Sequence, residues 1–156
     1  SYVGGLQLTD AEVYVDDVRV EASFNTTHIT ATIPRELAWE IGERGWASVY
    51  VAASLNHVGR LAGNYTVKIY PKPLNVGASN GSLLIVNPNG FPIRVNITFK
   101  YAYSVGDQWK HFSTHVIVEG GESVLVDPPE GSRYVYAEAR YTLAGVERWA
   151  QVTVRY

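Results

Sequence analysis

The sequence predicts an all-β fold: an antiparallel β-sandwich or jelly roll with one short helix, at about residues 34–43. Three observations predict it. In "PIRVNITFKYAY", residues 92–103, Ile93, Val95, Ile97, Phe99, Tyr101 and Tyr103 share one phase, while Arg94, Asn96, Thr98, Lys100 and Ala102 share the other. Successive strand residues point to opposite faces, so this alternation marks a half-buried strand. Secondly, turn residues interrupt such runs about every eight to twelve positions, the spacing of sandwiches and barrels. Thirdly, the chain holds 11 Tyr and is rich in Val and Thr, side chains that suit a pleated, half-buried surface. No βαβ alternation appears, which argues against a doubly wound parallel sheet.

The elements follow in order. "EVYVDDVRVEASF" places Val13/Val15 and Val18/Val20/Ala22/Phe24 on two alternating arms about Asp16-Asp17, a hairpin pattern. "HITATI" reads as a further strand. "PRELAWEIGERG" supplies the helix: Pro34 suits a first turn, Leu37, Ala38 and Ile41 form an apolar stripe, and Gly42 or Gly45 ends it. "WASVYVAAS" and "NYTVKIY" return to strand character. "PKPLNVGASNG", dense in Pro, Gly, Ser and Asn, reads as a linker or long connection. After it, "SLLIVN" breaks at "PNGFP", and "HFSTHVIVE" turns at Gly120-Gly121 into "ESVLVD". Lastly, "RYVYAEARYTL" turns at Ala144-Gly145 into "ERWAQVTVRY". The expected organisation is an N-terminal extension over residues 1–10 and a β-sandwich over 11–156. The sandwich is either one body or two β-halves, 11–71 and 82–156, joined by the linker 72–81.

Composition bounds the function. At 156 residues, 46% hydrophobic and 18% charged, the chain has enough apolar content to bury a core and is not disordered. A net charge of −2 without basic runs gives no sign of a nucleic-acid partner. The longest nearly apolar run, "WASVYVAAS", is far short of a bilayer span, so no membrane span is expected. Cys is absent, which excludes disulfides and thiolate metal sites. Met is absent even at position 1, where Ser stands. Translation starts on Met, so the chain reads as either processed or trimmed, and processing by a signal peptidase is a natural reading.

Asn96-Ile97-Thr98 is an acceptor pattern for N-linked sugar on the wet phase of its strand. Asn25-Thr-Thr, Asn64-Tyr-Thr and Asn80-Gly-Ser match as well. With eight Asn in the chain and 20 Ser or Thr, chance gives about one match of this pattern. Asn64 and Asn96 fall on outward strand phases, Asn25 and Asn80 in turns or linker, all places that tolerate a bulky polar sugar. The expectation is a secreted or cell-surface chain with N-linked glycans and no other cofactor.

No enzymatic chemistry emerges. "GASNG" at 77–81 fits Gly-x-Ser-x-Gly about Ser79, but a nucleophile elbow needs a strand entering and a helix leaving. A Pro-rich stretch enters here and a strand leaves. His111 and His115 share a strand face about 13 Å apart, too far for one metal. Asp16, Asp17, Asp107, Asp127 and Glu130 sit in separate turns, without calcium-loop spacing. No Walker loop or dinucleotide fingerprint appears. The expectations are no catalytic residue, no metal and no small-molecule substrate.

A sandwich leaves unpaired edges, and an edge can accept a strand from another molecule. "SYVGGLQLTD" suits donation: Tyr2, Val3, Leu6 and Leu8 offer apolar anchors, and Gly4-Gly5 a pivot free of steric restriction. With its Tyr-rich, Cys-free strands and several Asn-x-Ser/Thr sites, the chain resembles the subunits of archaeal extracellular filaments, the bundling pili and threads. That resemblance implies a homopolymer in which each subunit donates an N-terminal strand to the next and sugars coat the surface. Separately, "LLIVNPNGFPIRVNITFKYAY" followed by "VIVEGGESVLVDPP" is similar to the desiccation-related late-embryogenesis β-sandwich, which implies fold more than function. The alternative from the residues themselves is a binding module gripping carbohydrate or protein through Trp46, Trp109 or Trp149.

Overall fold

The computed structural model describes residues 7–156 and is all-β, with one short helix. Its residues form two compact units. The first runs to Ile41 and resumes over Trp46–Ile69; the second comprises Gly42–Gly45 and Tyr70–Tyr156.

The first unit is one antiparallel sheet of five strands: β1 Leu8–Val15, β2 Val18–Phe24, β3 Ile29–Thr32, β4 Trp46–Leu55 and β5 Gly59–Lys68, in the order β3-β2-β1-β4-β5. The hairpin at Asp16-Asp17 forms as expected, with Val15 opposite Val18. Both aspartates adopt the left-handed region, φ 49° and 64°, which Asp tolerates better than most residues and which matches the twist of a two-residue hairpin. Asp16 also accepts the Ser48 amide through Oδ1 at 2.9 Å, tying the turn to β4. One sheet face presents Val13, Val15, Val20 and Ala47, and α1 (Arg35–Arg44) packs Leu37 and Ile41 against it. Four residues apart, these two lie on one helix face. Gly45, at φ 94°, ends the helix. Gly42 lies inside it, where a Cβ would come within 2.2 Å of the Phe91 ring.

The second unit is a two-sheet sandwich. β6 Asn75–Ser79, β7 Ser82–Val86 and β10 Ser123–Val126 form one sheet in the order β10-β7-β6. β8 Ile93–Ala102, β9 Lys110–Val118, β11 Tyr134–Leu143 and β12 Val146–Arg155 form the other in the order β12-β11-β8-β9. Leu83 and Ile85 from the first sheet meet Ile93, Val95, Ile97, Phe99, Val135, Ala139 and Leu143 from the second in one core. The alternation of residues 93–99 is therefore the core row. It slips at the end, where Ala102 is buried and Tyr103, just past the strand, is exposed.

Residues 72–81, read from composition as a linker, contain β6, which pairs with β7 through Asn75↔Val86 to Ser79↔Ser82. The decisive residues are Asn80-Gly81, at φ 49° and 80°, a two-residue hairpin turn that outweighs the Gly and Ser content around it. "PNGFP" and Gly120-Gly121, by contrast, carry the chain between sheets: β7 and β10 lie in one, β8 and β9 in the other. Two buried asparagines organise this end of the sandwich. Asn87 donates to the Phe91 and Val118 carbonyls at 2.8 and 2.9 Å. Asn89 pairs with the Lys72 backbone in both directions, each bond 2.8 Å.

Candidate functional site

The expected donor segment divides. Leu8 opens β1 and lies opposite Leu55 of its own chain. Pairing reaches one residue further back, since the Gln7 amide donates to Asn56 Oδ1 at 2.7 Å and the Asn56 amide to the Gln7 carbonyl at 3.1 Å. Within the stretch 1–10 read as an extension, residues 8–10 thus belong to β1, and Leu8 is paired in the chain's own sheet. Tyr2, Val3 and Leu6 lie outside the described residues.

The first unit's sheet has two edges of different character. β3 is a four-residue strand, short as protected edges are. β5 is a ten-residue strand paired, among the described residues, on one side only. Its Leu61, Gly63, Tyr65 and Val67 lie opposite Ala53, Val51, Val49 and Ala47, on the sheet face that carries the core. Yet Leu61 is 53% exposed, Tyr65 60% and Val67 45%. The Tyr65 ring lies over Gly63, where an added Cβ would meet the phenol oxygen at 2.9 Å. The result is an apolar row on an open edge, continuous with a buried face.

All four acceptor asparagines are exposed. Asn25 closes an Asx turn, its Oδ1 accepting the Thr27 and His28 amides at 2.9 and 2.8 Å. Asn64 stands on the outer face of β5, opposite Tyr50. Asn96 stands on the outer face of β8, between Arg140 and His115. Asn80 occupies the tight β6–β7 turn, and the hydroxyl of nearby Ser82 is bonded to Asp127.

The outer face of the four-stranded sheet gathers aromatic and charged groups. Trp109 packs against Tyr136 with ring centroids 5.5 Å apart, and Lys100 Nζ lies 5.4 Å from the Trp109 centroid. Beside them is a shallow depression of about 520 Å³, lined by residues that include Thr98, His111, Glu138 and Gln151. Arg140 bonds Glu138 and lies 3.7 Å from Glu147. Its guanidinium holds the Glu138 carboxyl below the usual carboxylate range. Trp149 is exposed opposite Arg140, and Trp46 opens β4 in the first unit, opposite Lys68. Trp109 and Trp149 therefore share the outer face of this sheet while Trp46 belongs to the other unit, and Tyr136, which completes the Trp109 pair, is not singled out by any sequence motif. Only its outward phase in "RYVYAEARYTL" points to it.

Ser79 ends β6 opposite Ser82, with a hairpin turn rather than a helix after it. His111 and His115 are exposed on β9, opposite Lys100 and Asn96. Among the described residues no three His, Cys, Asp or Glu side chains gather as a metal site needs, and no helix is long and apolar enough to cross a membrane. No protein-family model matches this sequence, and no curated protein matches it either.

Proposed function

We propose that this chain is a structural subunit of an extracellular, glycosylated homopolymer of the archaeal filament type, assembled by donation of the segment before β1 to the β5 edge of a neighbouring subunit. The observation that carries the reading is the row Leu61, Tyr65 and Val67. Natural edges are kept short, charged or covered, and a long edge whose core-side row is apolar and exposed is suited to accept another strand. The lengths agree. Leu61 to Val67 spans about 20 Å at strand rise, and residues 1–6 extend to about 20 Å. Tyr2 and Leu6 share one strand phase, so both would lie on the apolar row while Gly4 passes over the Tyr65 ring. Sugar on Asn25, Asn64, Asn80 and Asn96 would keep the remaining surface wet.

The test compares native protein with a variant lacking residues 1–6 and with Leu61→Asp/Tyr65→Asp, by negative-stain microscopy and light scattering. Both variants should remain folded and monomeric while the parent forms fibres. Fibres in either variant, or none in the parent, would overturn the reading.

The Trp109–Tyr136 pair, beside a depression that mixes apolar surface with Thr98, Glu138 and Gln151, supports a second reading, a carbohydrate-binding module. Aromatic rings with flanking hydrogen-bonding groups suit sugar faces. Saccharide binding on a glycan array that disappears in Trp109→Ala would favour it; no binding by the parent would remove it.

A further inference from the structure

The four acceptor asparagines differ in what surrounds them, and Asn64 has the most developed neighbourhood. Across the outer face of the first unit runs one row of directly opposed residues: Asn64 on β5, Tyr50 on β4, Tyr14 on β1 and Arg19 on β2. Adjacent members are about 5 Å apart, as neighbouring strands require. The two tyrosine rings touch, with centroids 5.9 Å apart and planes inclined at 57°. Along one side lie Glu12 and Arg60, paired at 3.1 Å, with Arg60 also 3.4 Å from Asp10. Together Glu12, Tyr14, Asp17, Tyr50, Arg60 and Asn64 line an open depression of about 420 Å³.

This is a short aromatic track, bordered by groups that donate and accept hydrogen bonds, with an acceptor asparagine at one end. Sugars combine an apolar C–H face with a rim of hydroxyls. Tyr50 and Tyr14 offer the complement to the first, and Arg60, Glu12 and Asp17 the complement to the second. We infer that the inner sugars of the Asn64 glycan dock along this track on the same chain, the first over Tyr50 and the next toward Tyr14. The inference rests on the glycosylation in the function proposed above and deepens it. A glycan held there fastens the edge strand β5 across β4 to β1. It also keeps sugar on the outer face, away from the apolar row of Leu61, Tyr65 and Val67 on the opposite side.

The experiment is a double-mutant cycle on native-host protein: parent, Asn64→Gln, Tyr50→Ala and both together, with urea unfolding as the measurement. Occupancy of Asn64 is read by peptide mass. Docking predicts that Asn64→Gln raises the unfolding equilibrium constant about fivefold in the parent, the size of one aromatic contact. The same change should have no effect in the Tyr50→Ala background. Tyr50→Phe keeps the ring and should restore the difference. Should Tyr50→Ala fail to fold, nuclear Overhauser contacts between sugar C–H protons and the Tyr50 ring in the parent decide the same question. A bare Asn64 overturns both the glycosylation reading at this position and the docking. An occupied Asn64 with an additive cycle, or without sugar-to-ring contacts, overturns the docking alone.

Discussion

Replacing Asn87 should be among the most damaging single changes in the second unit. Its side chain is fully buried and is tied by four hydrogen bonds. Nδ2 donates to the Phe91 and Val118 carbonyls at 2.8 and 2.9 Å; Oδ1 accepts from the Asn89 amide at 3.0 Å and from Asn89 Nδ2 at 3.1 Å. Asn87→Ala leaves two carbonyls and two N–H groups without these partners at a buried position. Each orphan is worth about 1–3 kcal/mol, and partial relaxation keeps the sum below simple addition, at about 3–5 kcal/mol. For a unit of this size that lowers Tm by about 15–25 °C. Asn87→Asp sharpens the test. It keeps Oδ1 but turns an acceptor toward two carbonyls, so the ionised form is disfavoured and the carboxyl pKa rises in the folded state. A raised carboxyl pKa means stability is greatest below the unfolded value and is lost as pH rises through the folded one. Asn87→Asp should therefore be severely destabilised at pH 7 and partly recovered in acid, opposite to the usual trend. Urea titrations of parent and both variants at pH 7 and pH 4 decide it. A loss under about 1 kcal/mol for Asn87→Ala, or no acid recovery for Asn87→Asp, would refute the reasoning.

Two further changes test the turns and the outer face. Gly120→Ala should destabilise more than Gly121→Ala in thermal melts. At Gly120 a Cβ would meet the Gly90 carbonyl carbon at 2.7 Å and the Phe91 nitrogen at 2.8 Å, both backbone, whereas at Gly121 only the left-handed φ of 75° opposes it, a strain of about 1 kcal/mol. The reverse order would contradict the packing described. Glu138→Gln removes the carboxylate that Arg140 stabilises. Because that folded pKa lies below its ordinary 4.5, the stabilisation is complete above 4.5 and fades as pH falls through the lowered value. Parent and variant should differ slightly in urea midpoint at pH 7 and converge in strong acid; divergence on acidification would be the wrong sign.

Legibility in the sequence follows the strength of local signals. Ile93 to Phe99 alternate so cleanly that the buried row of β8 can be named without coordinates, and Asp16-Asp17 and Ala144-Gly145 mark their hairpins. β6 is hidden because Pro71, Pro73, Gly77 and Ser79 weigh toward loop in any compositional count, while the informative pair, Asn80-Gly81, is absorbed into the same stretch. Gly42 misleads for another reason: its role is set by the Phe91 ring, about fifty positions away in sequence, and no helix-ending rule can see that. Asn87 and Asn89 look like ordinary turn asparagines, and only the fold reveals them as buried. Of the candidate site, the outward placement of Asn64 and Asn96 is readable from strand phase. The exposure of Leu61, Tyr65 and Val67 is not, since alternation states which side a residue faces and never whether anything covers that side.

That last distinction decides where an assembly surface should be sought. A polar edge with an apolar inner row is the ordinary arrangement, because the inner row is covered by the rest of the core. In the first unit, α1 contributes Leu37 and Ile41 to the cluster of Val13, Val15, Val20 and Ala47, and Val49 and Val51 pack against that cluster. β5 continues the same face one strand further, yet its apolar residues are not part of the cluster. The two edges of this sheet differ in length and in how far their core-side residues are covered. On the core-side phase the four-residue β3 places Ile29 and Ala31, half-buried against the cluster, whereas the ten-residue β5 exposes Leu61, Tyr65 and Val67. Under the strand donation proposed above, a row left open for an incoming strand would account for that difference, which is why the proposal turns on β5 and not on β3.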